Sequence, residues 1–251
     1  MKQPKTALIT GATSGIGRAS ALGMARAGYN IVICGRRSER LEETLDLSEA
    51  NKESALGVVC DVTEEASVLD MFARAKAKFG RIDIVFNNAG RFLPAARIDD
   101  TSLETFQEGI DVNLTGAFLV AREAFRHMRD QLPQGGRIIN NGSISAHVPR
   151  PNAVPYNTAK HAITGLTKSI SLEGRALNIA CSQIDIGNAA TDMTAKMETG
   201  MLQANGTIAP EPTFDVEHVV DAVVYMAGLP LNANVQFMTI MATNMPYVGR
   251  G

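Results

Sequence analysis

Thr10-Gly11-Ala12-Thr13-Ser14-Gly15-Ile16-Gly17 follows a short apolar run at 7–10 and leads directly into a helical stretch at 18–27. Glycine removes the Cβ that would keep backbone amides away from a bound pyrophosphate, and a helix N-terminus offers unpaired N–H groups at the positive end of its dipole. The turn is therefore a candidate phosphate cradle, although a tight strand-to-helix turn also uses glycine. Working outward, further apolar runs at 31–34, 56–60, 82–86, 137–141, 179–184 and 235–241 alternate with amphipathic stretches. That alternation predicts an α/β fold: a doubly wound, seven-stranded parallel sheet with helices on both faces. Runs such as Ala7-Leu8-Ile9 and Ile31-Val32-Ile33 are nearly continuous, as strands buried on both faces should be. In such a fold the ligand crevice lies at the carboxyl ends of the strands, where the unusual residues of this sequence gather.

The chain has 251 residues, 45% of them hydrophobic, with 24 basic and 26 acidic side chains. This is enough to bury a sizeable core without disulfides, and with no linker-like run it is expected to form one domain over 1–251. The near-neutral balance leaves no electrostatic footprint for nucleic acid or an anionic membrane. Cys34, Cys60 and Cys181 form no CxxC pair and sit in or beside apolar runs, which fits a reduced, cytoplasmic setting. His127, His147, His161 and His218 lack metal-site spacing, so no catalytic metal is expected. No apolar run is long enough to span a bilayer, and because residues 5–10 already read as strand, no cleavable leader is expected.

Two further features carry chemistry. At the end of the second run stands Cys34-Gly35-Arg36-Arg37-Ser38, with Arg36 where an NAD site usually places a ribose-binding carboxylate. Guanidinium groups bind phosphate bidentately and stack on adenine, so NADP(H) is preferred, with NAD(H) a possible alternative; solvated loop charge is the plainer reading of Arg36 and Arg37. Tyr156 and Lys160 stand four apart in Tyr-Asn-Thr-Ala-Lys on a helical stretch, 156–175, and so share a face. A phenol of ordinary pKa is a usable acid but a scarce base at neutral pH; lowering that value by about three units requires about 4 kcal/mol from nearby positive charge. Lys160, together with an oxidised nicotinamide ring near it, is the candidate source of that charge, although a packed ring beside a snorkelling amine gives the same pattern.

The spacing Thr-Gly-x-x-x-Gly-x-Gly resembles that of the short-chain dehydrogenase/reductase family. The similarity is in register at Asp61-Val62, after the third run, and at Asn87-Asn88-Ala89-Gly90, after the fourth; it extends from Thr6 to about Thr191. The resemblance implies that Gly11, Thr13, Ser14, Gly15, Ile16 and Gly17 hold the pyrophosphate, that Asp61 and Val62 meet the adenine, and that Asn88, Ala89 and Gly90 shield the adenosine. It also implies a catalytic set of Asn113, Ser143, Tyr156 and Lys160: Tyr156 as general acid/base, Ser143 holding the substrate oxygen, Lys160 also on the nicotinamide ribose, and Asn113 holding a water in the proton path. Ser145 is a rival for Ser143, but the separation from the tyrosine favours Ser143. Gly187 and Thr191 match cofactor contacts, with Ile186 where relatives carry proline.

The implied activity is interconversion of a carbonyl and an alcohol on a small-molecule substrate. A non-catalytic dinucleotide sensor is the competing class, and an epimerase or dehydratase on the same fold is the third; the intact tyrosine–lysine pair argues against the sensor. Residues 187–213 form the expected substrate lid, where Met193, Met197 and Met201 recur at helical spacing. Arg91, His147 and Arg150 stand near the expected cleft mouth, either as contacts for an anionic substrate or as a solvated rim. By resemblance, long helices at 102–131 and 156–175 pack against a second subunit in a homotetramer or dimer, and the tail 244–251 is a candidate to reach a neighbour. Neither the substrate nor the reaction direction is legible in these residues.

Overall fold

The structure is a computed structural model and describes residues 4–248. Its main sheet has seven strands, all parallel: β1 (Thr6–Thr10), β2 (Asn30–Gly35), β3 (Ala55–Val59), β4 (Ile84–Asn87), β5 (Gly136–Asn141), β6 (Ile179–Ile186) and, last in the chain, β9 (Phe237–Ile240). Their spatial order is β3-β2-β1-β4-β5-β6-β9, so the chain reverses its direction of winding between β1 and β4. A reversal of this kind opens a crevice at the carboxyl ends of the strands. Two short antiparallel strands, β7 (Met201–Leu202) and β8 (Ile208–Ala209), make a separate hairpin within 187–213.

Strand side chains alternate between two cores. Leu8, Val32, Val85, Ile138 and Cys181 face a cluster completed by α3 (Glu65–Phe79), α5 (Gly116–Asp130) and α6 (Val154–Glu173). Ile9, Ile33, Phe86, Ile139 and Ile184 face the opposite cluster, completed by α1 (Gly15–Arg26), α2 (Ser38–Leu47) and α7 (Glu217–Gly228). Both sheet faces are thus dry, which explains why the strands read as apolar runs rather than as polar–apolar alternation. On one face α1 and α7 touch through Gly23, where an added Cβ would lie 2.1 Å from Val220 Cγ1.

The helix expected at 102–131 is not continuous. It comprises α4 (Leu103–Ile110), a π-helical segment at Asp111–Thr115, and α5, with Asn113 inside the π segment. Apolar periodicity alone does not reveal one extra residue in a turn, and such bulges concentrate at functional sites. The methionine stripe is also corrected. Only a single 3-10 turn, Ala195–Glu198, forms there; Gly200 adopts φ +147°, and Met201 has already entered β7. Met197 is buried while Met193 is exposed, so the three thioethers share no helical face.

Candidate active site

One cleft runs along the carboxyl ends of the strands and is lined at one end by Thr13, Ser14, Arg36, Arg37 and Asp61, and at the other by Ser143, Tyr156 and Lys160. The β1–α1 turn forms its floor. Gly11 and Gly15 have φ of +67° and +53°, the left-handed region that glycine enters without steric cost. A Cβ on Gly11 would stand 2.9 Å from Ala89 Cα, and one on Gly17 would stand 2.3 Å from the Gly11 carbonyl oxygen, so the turn is closed tightly on itself and on the loop after β4. Ser14 is the N-cap of α1, yet its hydroxyl caps nothing, and the first turn carries no acidic residue. The leading amides of α1 therefore keep their donors and their partial positive charge for an anion. The same cleft wall includes Ile16 and Gly17.

At the outer end, the Arg37 guanidinium donates to Thr13 Oγ1 at 3.0 Å, and Arg36 lies 3.8 Å from the Asp61 carboxylate. Both arginines are exposed and border the cleft with Asp61 and Val62. Partial burial of Asp61 works to raise its pKa, but hydrogen bonds from the Thr63 amide and hydroxyl, with the nearby Arg36 and Arg91 charges, hold it below the ordinary value. Glycines without side chains, a free helix N-terminus and two guanidinium groups in one channel fit a dinucleotide with its phosphates on the α1 turn. Residues Gly11 to Gly17 would hold the pyrophosphate, and Arg36, Arg37, Asp61 and Val62 the adenosine end.

Asn87-Asn88-Ala89-Gly90 is tied down by polar staples that the sequence did not disclose. The amides of Asn88 and Ala89 both donate to Thr10 Oγ1 at 2.9 Å, while Asn88 Nδ2 donates to the Thr10 carbonyl and its Oδ1 accepts from Asn141 Nδ2. Buried Asn87 donates to the Ala117 carbonyl and to Asn140 Oδ1. Gly90 must lack a side chain, since its Cβ would lie 2.8 Å from Asn113 Oδ1. Asn113, 2% exposed, accepts the Arg91 amide and donates to the carbonyls of Arg91 and Gly109. Its side-chain amide is thus committed to holding the β4 loop against the π segment.

At the inner end, Tyr156 stands on the first turn of α6, with Phe92 packed on its ring at a centroid distance of 4.4 Å. Burial pushes its phenol above the ordinary value; the neighbouring Ser143 side chain and the Arg150 charge oppose this, and Asp185 adds to it. Lys160 is buried, and desolvation pulls its ammonium down to about 8 while Asp185 partly sustains it. Its Nζ donates to the Asn141 carbonyl at 2.7 Å and lies 5.6 Å from the centre of the tyrosine ring. The protein's own groups, Lys160 included, thus leave the phenol above its ordinary value. Ser145, the rival serine, is buried and its amide donates to Ser143 Oγ at 3.1 Å, so it supports the turn that carries Ser143.

The rim residues are engaged with neighbours. Arg91 forms an ion pair with Glu108. Arg150 is buried in a bidentate pair with Glu211 at 3.0 and 2.6 Å and also reaches Asn188 Oδ1 at 2.8 Å. His147 Nε2 lies 2.9 Å from Asp185 Oδ2. Gly187 and Thr191 line the cleft, and a Cβ on Gly15 would touch Thr191 at 3.5 Å across it. A Cβ on Gly187 would meet Met245 Sδ at 2.8 Å, so the tail at 244–248 folds back onto the site of its own chain; residues 249–251 lie outside the described residues. Among the described residues no group of three or more metal-ligating side chains occurs, no helix is long and apolar enough to cross a membrane, and Cys34, Cys60 and Cys181 are free thiols.

A cleft of this form at the winding reversal of a seven-stranded parallel sheet is that of a Rossmann-type nucleotide-binding fold. The chain belongs to the short chain dehydrogenase family, whose model matches residues 5–201. It is 31% identical to a 3β-hydroxysteroid dehydrogenase of Mediterraneibacter gnavus over 207 residues, covering 82% of this chain and 74% of that one. Among solved structures it is similar to a variant of the actinorhodin polyketide ketoreductase with NADPH (TM-score 0.85, 25% identity, 96% and 98% of the two chains covered). It is likewise similar to the 3-ketoacyl-(acyl-carrier-protein) reductase of Brucella melitensis complexed with NADH (TM-score 0.82, 25% identity, 94% and 96% covered). The family is one of dehydrogenases and reductases acting at the carbonyl/alcohol level, and this chain is an oxidoreductase of that kind.

Proposed function

We propose that this oxidoreductase uses NADP(H) in preference to NAD(H) to interconvert a carbonyl and a secondary alcohol on a small molecule, with Tyr156 as general acid and base. The observation that carries the reading is the convergence of Ser143, Tyr156 and Lys160 at one end of a cleft whose other end carries Thr13, Arg36 and Arg37. A reduced nicotinamide, when bound, supplies hydride to the carbonyl carbon. Ser143 donates to the carbonyl oxygen and polarises it, while the Tyr156 hydroxyl delivers the proton that oxygen needs as charge develops on it. Lys160, fixed by the Asn141 carbonyl, holds the ribose side and replenishes the phenol; its low ammonium value lets it exchange protons near neutral pH. The buried phenol is a poor base without further positive charge, so oxidation of an alcohol draws on the cation of the oxidised cofactor more than reduction does.

Preference for the 2′-phosphate rests on Arg36 and Arg37 just after β2, in place of the carboxylate an NAD site usually carries there; the nearby Asp61 carboxylate is paired with Arg36. With Arg91, His147 and Arg150 already paired, an uncharged ketone is favoured over a keto acid. Relatives named for hydroxysteroid and polyketide substrates point the same way. The test is a 340 nm assay with NADPH and NADH in parallel against ketosteroids, cyclic diketones, β-ketoacyl thioesters and keto acids. Turnover of a neutral ketone with NADPH at least tenfold more efficient than with NADH is expected. In Arg36→Asp that ratio should fall by about ten- to a hundredfold, corresponding to the loss of one charge-assisted phosphate contact. An Arg36→Asp variant with an unchanged ratio would sink the assignment.

A further inference from the structure

Beneath the Ser143 turn lies a buried carboxylate that the mechanism above does not use. Asp185, near the end of β6 and 1% exposed, sends Oδ1 to the Ser143 amide at 3.0 Å and to Gln183 Nε2 at 2.7 Å, and Oδ2 to His147 Nε2 at 2.9 Å. The turn just after β5 makes room for it: a Cβ on Gly142 would lie 2.0 Å from Asp185 Oδ1 and 2.9 Å from Gln183 Nε2. Gln183 is itself anchored through Thr164 and Thr167 on α6, the helix that bears Tyr156 and Lys160. A carboxylate with three donors on it is a fixed strut, because a buried charge held by several hydrogen bonds has no cheaper arrangement to relax into. The strut joins the serine's main chain to the tyrosine's helix. It meets solvent through His147, which is 41% exposed.

We propose that Asp185, held by Gln183 and His147, is a positioning residue for the reaction: it fixes the Ser143 main chain so that the serine hydroxyl keeps its place in the cleft beside Tyr156, and sets one negative charge within electrostatic reach of that tyrosine. The inference rests on the oxidoreductase reading above for its kinetic arm only. The charged or titratable groups that act on the phenol are Asp185 from β6, Arg150 from the loop before α6 and Lys160 from α6 itself, with the Ser143 side chain beside it. His147, from the turn after β5, touches the carboxylate rather than the phenol.

Geometry and charge separate by substitution. Asp185→Ala removes the acceptor, and kcat for ketone reduction should fall about tenfold or more with the KM for NADPH within about twofold, since no cofactor-lining residue is altered. Asp185→Asn keeps an oxygen for the Ser143 amide and should restore most of kcat. It also removes the charge, so the alkaline limb of the pH–rate profile should move to lower pH by about half a unit or more. The same displacement should appear without any substrate in the pH dependence of Tyr156 nitration by tetranitromethane, which attacks the phenolate and is followed by peptide mass. His147→Ala should cost about threefold in kcat and His147→Gln should recover it. An Asp185→Asn variant no better than Asp185→Ala, with an unmoved nitration profile, would overturn the proposal. So would variants that lose NADPH binding in step with kcat. If Asp185→Ala does not fold, the Asn and His147 arms decide. If the native protein turns over no ketone with either nucleotide, the oxidoreductase reading falls, while the nitration arm still decides the role of Asp185.

Discussion

At the scale of single residues, the site sets stability against chemistry. The Tyr156 hydroxyl lines the cleft beside Ser143, while its ring packs on Phe92. Tyr156→Phe should therefore fold with NADPH affinity nearly unchanged while kcat falls by about 10²- to 10⁴-fold, the usual worth of a positioned acid; titration of NADPH fluorescence beside steady-state assays checks both halves. Lys160 behaves differently. Its ammonium is pulled from an ordinary 10.5 to about 8 by burial, so between those values the unfolded chain holds a proton that the folded chain has released. Stability rises with pH through that window, and below about 8 the fold bears the full cost of the buried charge. Lys160→Met should be inactive yet more stable at pH 7, by about 2 kcal/mol, with the gain vanishing near pH 10.5; urea melts at the two pH values measure it. A loss of stability at pH 7 would show that the bond to the Asn141 carbonyl outweighs desolvation.

At the scale of elements, residues 187–213 are latched rather than loose. Arg150, before α6, grips Glu211 and Asn188, and Glu211 also accepts from Asn188 Nδ2 and Gln203 Nε2. Burial works to raise the Glu211 carboxyl, but the hydrogen bonds from Arg150 and Asn188, together with the Arg150 charge, overcome this and bring it to about 2. Its stabilising contribution is thus complete above the ordinary 4.5 and lost as pH falls toward about 2. Glu211→Ala should destabilise by about 3 kcal/mol at pH 6, because it leaves Arg150 buried and unpaired, and the penalty should shrink by pH 3. Limited proteolysis should cut first within 187–213 in the variant and not in the native chain. None of this latch was legible beforehand, since Arg150 and Glu211 are far apart in sequence and their pairing follows from where the lid folds back. The methionine spacing misled for a local reason: Gly200 at φ +147° ends the turn before a second one can form. The interruption at Asn113 was hidden because α4 and α5 keep helical periodicity on both sides of it.

At the scale of the whole molecule, burial made the architecture readable. Strands dry on both faces must be apolar throughout, so their number and order along the chain were visible. The glycine turn fixed which strand opens the crevice. Less visible were the polar staples, such as Asn87 on Asn140, because they depend on the register between strands distant in sequence. The folded surface poses one further question. Leu103 on α4, Phe118 on α5 and Leu172 on α6 are 80%, 44% and 62% exposed. On a lone chain, large apolar side chains gathered on neighbouring helices are a burden on solubility that a second copy relieves. The helices that carry them are those the family resemblance assigns to subunit contact. Phe118 is the place to test this. It is the aromatic member of the set, and although the Arg122 guanidinium lies over its ring at 5.4 Å it stays 44% exposed. Light scattering after size-exclusion chromatography should give a mass of two or four chains for the native protein. Phe118→Glu should reduce it to a smaller assembly, since a carboxylate at the centre of an apolar contact goes unpaired on both sides of a two-fold axis. The variant's circular dichroism should match the native spectrum, because Phe118 contributes little to either internal core. A native mass of one chain, or an assembly indifferent to Phe118→Glu, would place the contact elsewhere; the open edge of β9, with Phe237 38% exposed, is then the next surface to alter.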